Sequence, residues 1–277
     1  MAQNPLEQFF RQPKIFINLP SQGIYNQPGT IQGDAANLPV YGMTGMDEII
    51  TRTPDALFTG ESTVRVVQSC VPNIKDPWDI SSIDADLIFA AIRIATYGEK
   101  LSIVHTCSKC ETENAYDINL NGVVEHFASC QFDSKLVMSN ITVNIRPMTY
   151  KQMTEINMRN YQLQRKMSQV DAMETGEEKQ ELIQAMFHEL ATIQTDFLSN
   201  CIESVDTGKL VVTEKPFIKE WIIKCDKNTN DAIREQIVKN QDAWQIPKFP
   251  VICSEEACLQ EDKINLMLDQ SNFFVQA

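Results

Sequence analysis

The sequence predicts an α+β fold in which helical segments and one long αα-hairpin attach to a small β-region closed by four cysteines. Three observations support it. Apolar residues recur at helical spacing through Ser82–Tyr97, and capping patterns at Thr149 and Thr175 open a long paired helical stretch. Two cysteine pairs also sit in turns beside strand-like runs.

Residues 1–43 are rich in Pro, Gly, Asn and Gln and predict an extended N-terminal arm. Its strand-like run Lys14–Leu19 ends in the turn Pro20-Ser21-Gln22-Gly23. A helical region is expected over 44–100. Thr44 can cap a turn containing Asp47 and Glu48, Val64, Val67 and Val71 keep helical spacing as far as Pro72, and Gly98 is placed to end the Ser82–Tyr97 helix. Ile83, Leu87, Ala90, Ala91 and Ile94 give that helix a core face.

A β-region follows over 101–146, with strands at Leu101–Thr106, Ala115–Leu120 and within Lys135–Ile145. Over 147–246 the chain is again helical. Thr149 with Gln152, and Thr175 with Glu178, read as capping boxes opening two helices that turn back at Gly176. A short strand at Leu210–Thr213 and helices across Phe217–Cys225 and Asp231–Trp244 complete this region. Residues 247–277 return to extended form with the second cysteine pair and a tail.

The formal net charge of −13 disfavours nucleic acid and acidic lipid as partners, because like charges repel. Residues 1–14 lack the basic start and apolar stretch of an export signal, and the apolar run Leu87–Ile92 stops at Arg93, far short of the roughly 18 residues of a bilayer span. An intracellular, reducing setting without a membrane span is expected. There, eight cysteines are better used as thiols or metal ligands than as disulfides.

Cys107-Ser108-Lys109-Cys110 is a C-x-x-C turn between two strands, and Cys253-Ser254-Glu255-Glu256-Ala257-Cys258 is a looser turn after an extended run. Two such knuckles supply the four thiolates of a structural zinc site, a closed tetrahedron with no open position for water. The competing readings are buried thiols paired by chance and a redox C-x-x-C, which needs a helix after the motif where this chain has Glu111-Thr112-Glu113 and a strand. His105 is a possible substitute ligand. Cys70, Cys130, Cys201 and Cys225 read as buried or partly buried thiols.

Catalytic patterns are incomplete. His188-Glu189 has Thr192 where a second zinc-binding histidine belongs, and Asp226–Asn230 lacks both the glycine and the distal glutamate of a calcium loop, so it reads as a helix cap. Asp84 with Asp86, and Glu177 with Glu178, read as solvated acids at helix starts. No phosphate loop, dinucleotide fingerprint or nucleophile elbow is present, and a non-enzymatic protein is expected.

Taken in order, Leu19-Pro20-Ser21-Gln22-Gly23-Ile24-Tyr25, Met43-Thr44-Gly45-Met46-Asp47-Glu48, the C-x-x-C turn, Arg146-Pro147-Met148-Thr149-Tyr150 and Leu268-Asp269-Gln270-Ser271-Asn272-Phe273-Phe274 form a series. It resembles the baseplate hub subunit family of T-even-type contractile-tailed bacteriophages. The resemblance implies a virion or assembly component made in the bacterial cytoplasm, acting at the baseplate hub with other hub, tail-tube or tape-measure proteins. Two alternatives stay open: a tail assembly chaperone absent from the mature virion, and a zinc-ribbon binding module in gene expression. Docking anchors are expected at Phe9, Phe10 and Phe16 in the arm and at Phe273 and Phe274 in the tail.

Overall fold

A computed structural model describes residues 4–52, 59–138, 140–173 and 175–266. Packing divides the chain into two units: one uses residues up to Cys130 and again from Trp244 onward, and the other is Gln131–Ala243, inserted between them in sequence.

In the first unit, β1 (Ile15–Ile17) pairs antiparallel with β2 (Leu38–Val40), Ile15 opposite Val40, so the N-terminal arm folds on itself across a long loop. Leu19, Leu38 and Val40 are fully buried. The arm is also pinned by Arg11, whose guanidinium donates to Gly42 O at 2.7 Å and to the Ser69 carbonyl and hydroxyl.

Helix α1 (Gly45–Thr51) starts in a capping box: Asp47 N donates to Thr44 Oγ1 at 3.2 Å and Thr44 N to Asp47 Oδ2 at 2.7 Å. Two orphan amides at the helix start are thereby satisfied reciprocally. α2 (Glu61–Cys70) follows, then α3 (Ser82–Tyr97), which buries Leu87, Ala90, Ala91 and Ile92 and ends at Gly98 with φ +92°. The predicted core helix and its glycine stop are both present.

α3 lies so close to the arm that a Cβ on Gly42 would stand 2.8 Å from the Ala95 carbonyl oxygen. Backbone cannot yield there as a side chain can. Gly42→Ala is therefore expected to destabilise this unit by ~1–3 kcal/mol, read as a lower urea midpoint with an unchanged slope.

β3 (Lys100–Thr106) and β4 (Glu113–Asn119) form an antiparallel hairpin in continuous register from Lys100 opposite Asn119 to Thr106 opposite Glu113. α4 (Asn121–Ser129), a helix not foreseen from sequence, buries Val123 and Phe127, four residues apart and hence on one face.

In the second unit, β5 (Lys135–Val137), β6 (Thr142–Ile145), β7 (Ile202–Asp206) and β8 (Val211–Val212) form an antiparallel sheet in that order. The β-rich stretch before residue 146 thus pairs with a strand lying beyond the helical hairpin and not with β3–β4, a long-range choice that local pattern cannot specify.

α5 (Tyr150–Asp171) opens with the predicted Thr149–Gln152 capping box. α6 (Glu177–Cys201) does not open as expected. Its N-cap is Gly176 in extended conformation, φ −171°, and no side chain caps it, so the Thr175–Glu178 box is not formed. α7 (Lys215–Lys224) and α8 (Lys227–Ala243) close the unit. Asp226 caps α8 by accepting from the Thr229 amide and hydroxyl, as its sequence suggests.

Ile145, Ile156, Leu163, Ile193, Ile202, Ile218, Ile222 and Ile233 belong to one buried cluster of this unit. Over it, Arg159 of α5 donates to Glu189 at 2.8 Å and Asp196 at 2.7 Å of α6, and Lys219 of α7 pairs with Asp196. The chain then returns to the first unit, where Trp244 stacks on Phe127 and β9 (Phe249–Ile252) pairs antiparallel with β10 (Glu261–Ile264).

Candidate metal centre

Each cysteine pair occupies the bend of a two-stranded hairpin, between β3 and β4 and between β9 and β10. Backbone hydrogen bonding closes both bends. Cys107 N donates to Thr112 O at 2.9 Å, and Cys253 N donates to Gln260 O at 2.9 Å. Each bend returns to its strand through a left-handed residue just after the second cysteine, Glu111 at φ +59° and Leu259 at φ +45°. The two additional residues of the second turn are absorbed by local bonds from Cys258 N and Leu259 N to Glu255 O.

These bends bring Cys107, Cys110, Cys253 and Cys258 together, their four sulfurs all within 4.8 Å of one another. Cys110 Sγ is 3.5 Å from Cys253 Sγ, and Cys107 Sγ is 3.8 Å from Cys258 Sγ. A zinc–sulfur bond of about 2.3 Å sets the sulfurs of a regular tetrahedron roughly 3.8 Å apart, so the cluster has the size of a metal-thiolate cage. The four cysteines could hold a metal ion. Cys107 and Cys253 are buried, Cys258 is half-buried and Cys110 is exposed.

The thiols of the cluster differ in acidity. Hydrogen bonding from Thr112 brings Cys110 down to about 6. Cys258 is pushed up to about 11: the Gln260 backbone lowers it, but burial and the neighbouring Cys110 and Cys107 sulfurs outweigh that. One thiolate makes the next harder to form, and a bound cation would offset that repulsion and favour the ionised form of all four.

His105 is not part of the cluster. Its Nε2 lies 3.3 Å from the Asp262 carboxylate, which also accepts from the Ser108 amide at 3.0 Å and hydroxyl at 2.7 Å. Those Ser108 bonds, with His105, hold the Asp262 carboxyl below its ordinary range. The carboxylate lies between the serine and the histidine, whereas in a nucleophilic triad the histidine lies between the other two.

The remaining cysteines are scattered. Cys70 and Cys201 are buried, and burial pushes each thiol up to about 12. Cys130 and Cys225 are half-buried. Asp84 corrects the sequence reading: it is not a solvated helix-start acid but is 0% exposed, accepting from the Ser21 amide at 2.9 Å and from the Ser21 hydroxyl. Position in the helix suggested the dipole, whereas a residue 63 positions away supplies the partner.

Phe9, Phe10 and Phe16 are exposed at 75%, 56% and 59%. Phe273 and Phe274 lie outside the described residues. Among the described residues no helix is long and apolar enough to cross a membrane.

Neither a curated protein nor a solved structure matches the chain. A family model described as T4 bacteriophage base plate protein does, over residues 45–275, a stretch that runs from the start of α1 through both cysteine knuckles. The chain therefore belongs to the T4 bacteriophage base plate protein family.

Proposed function

We propose that this chain is a structural or assembly subunit of the hub of a contractile phage tail baseplate, working by docking to other hub, tail-tube or tape-measure proteins, with its two knuckles clasped by a structural zinc ion. The family match over residues 45–275 carries the baseplate part. Support for the hub comes from the ordered motifs that resemble hub subunits.

Zinc fits four thiolates in a closed tetrahedron, where its role is to hold the hairpins together. Docking is supported by the exposed Phe9, Phe10 and Phe16, since a folded arm offering large aromatics gives partners anchors at low conformational cost.

Mass spectrometry and zinc determination on purified tails and hub intermediates of the parent phage test this reading. Expected is the chain in both, with one zinc per copy. Presence in intermediates alone selects the chaperone role, and absence from both rejects the proposal. Binding to nucleic acid that weakens steeply with salt would favour the gene-expression reading, which the exposed Glu255, Glu256 and Glu261 beside the second knuckle oppose.

A further inference from the structure

The two knuckles are related by a correspondence that their unequal lengths conceal. In each, the residue after the first cysteine is a serine, Ser108 or Ser254, and its amide and hydroxyl both reach the same side chain on the opposite hairpin. Ser108 N and Oγ donate to the Asp262 carboxylate of β10 at 3.0 and 2.7 Å. Ser254 N and Oγ donate to Asn114 Oδ1 of β4 at 2.8 and 2.6 Å. Asn114 stands four residues after Cys110, and Asp262 stands four after Cys258.

We infer that Asn114 and Asp262 are reciprocal positioning residues of the metal centre, a latch that draws the knuckles face to face and assembles the thiol cage before the metal enters. This rests on the zinc reading above.

Geometry favours a latch over incidental surface bonding. Each acceptor takes two hydrogen bonds from one serine, which fixes the direction of the turn as well as its distance. Asn114 is 4% exposed, and its amide nitrogen also donates to Thr112 O at 2.8 Å and lies 3.8 Å from Cys253 Sγ. One side chain thus ties the first knuckle's return strand to the second knuckle's first ligand. Tyr116 adds a third tie, its hydroxyl donating to Ile252 O at 2.9 Å. A cage assembled this way takes up metal without first having to order two hairpins, so losing the latch should weaken binding while leaving the ligands unchanged.

Cobalt(II) titration of the full-length chain, followed by competition with zinc, tests the inference. The wild type should bind one ion with sulfur-to-cobalt charge-transfer bands. Asn114→Ala and Asp262→Ala should each bind about 10–100-fold more weakly with the band positions kept. Asp262→Asn still offers an oxygen to Ser108 and should recover most of the affinity. Wild-type affinity in both alanine variants overturns the latch and leaves the metal reading standing, whereas a wild type that binds no cobalt overturns the metal reading and the latch with it. Hydrogen exchange on the metal-free wild type decides the matter even if a variant fails to fold. Slow exchange at the Ser108 and Ser254 amides supports the latch, and exchange at the rate of an open peptide overturns it.

Discussion

Cys253→Ser, or removal of the proposed zinc by a chelator at neutral pH, is expected to lower the first unit's stability by ~4 kcal/mol or more, leaving the β9–β10 hairpin held by the latch and the Tyr116 tie alone. A ligand present at a thousand times its dissociation constant contributes about that much by mass action, and structural zinc commonly binds more tightly still. Beyond those hydrogen bonds, little apolar surface holds the β9–β10 hairpin. Among its eight strand residues only Val251 and Ile264 are buried. An isolated two-stranded hairpin is marginal in water at best.

Limited proteolysis is the direct measurement, with cleavage within 249–264 becoming faster on chelation, as the latched hairpin opens more often, and slowing again when zinc is restored. Helical circular dichroism from α5 to α8 should persist, because that unit has its own buried cluster around Ile202 and Ile218. An unchanged cleavage rate after verified metal removal would show that the metal adds nothing to the hold of the latch and the Tyr116 tie.

Much of this architecture is legible wherever cause and effect lie within a few residues of one another. The Thr44–Asp47 and Thr149–Gln152 capping boxes, the Gly98 stop and the cysteine knuckles are of that kind. α4 escaped because a nine-residue helix spans little more than two turns, too short for the spacing of Val123 and Phe127 to stand out as a helical period. The Thr175 box failed because the helix starts one residue later, which puts Gly176, with no side chain to accept from the first turn, at the cap position.

What stays illegible is long-range pairing. Nothing near Ile15 points to Val40, nothing near Thr142 points to Asp206, and nothing near Asp84 points to Ser21. The latch lies between these cases. Its equal spacing, four residues after each second cysteine, is present in the sequence, but the two additional residues inside the second knuckle hide it from a comparison that counts from the first.

Asp84 should make the first unit's stability depend on pH in the opposite sense to an ordinary paired carboxylate. Burial pushes its carboxyl up to about 6, even though the hydrogen bonds from the Ser21 hydroxyl and amide pull the other way. Unfolded, the same group titrates near 4. Between those values the folded chain keeps a proton that the unfolded chain has lost, so this group's contribution is fully present below about pH 4 and is lost as pH rises through about 6.

A shift of about two pH units is worth ~3 kcal/mol at most. Asp84→Asn keeps an oxygen for the Ser21 amide and cannot ionise. It should gain up to ~3 kcal/mol on the wild type as pH rises from 4 to 7. Asp84→Ala should instead lose ~2–5 kcal/mol at pH 7, because it strands the buried amide and hydroxyl of Ser21. Acid would also protonate the cage thiols and release the proposed zinc, which would mask the effect in the wild type alone. Urea denaturation of variant and wild type at matched pH removes that term from the difference. Parallel curves from pH 4 to 7 would show that Asp84 titrates alike in the folded and unfolded chains.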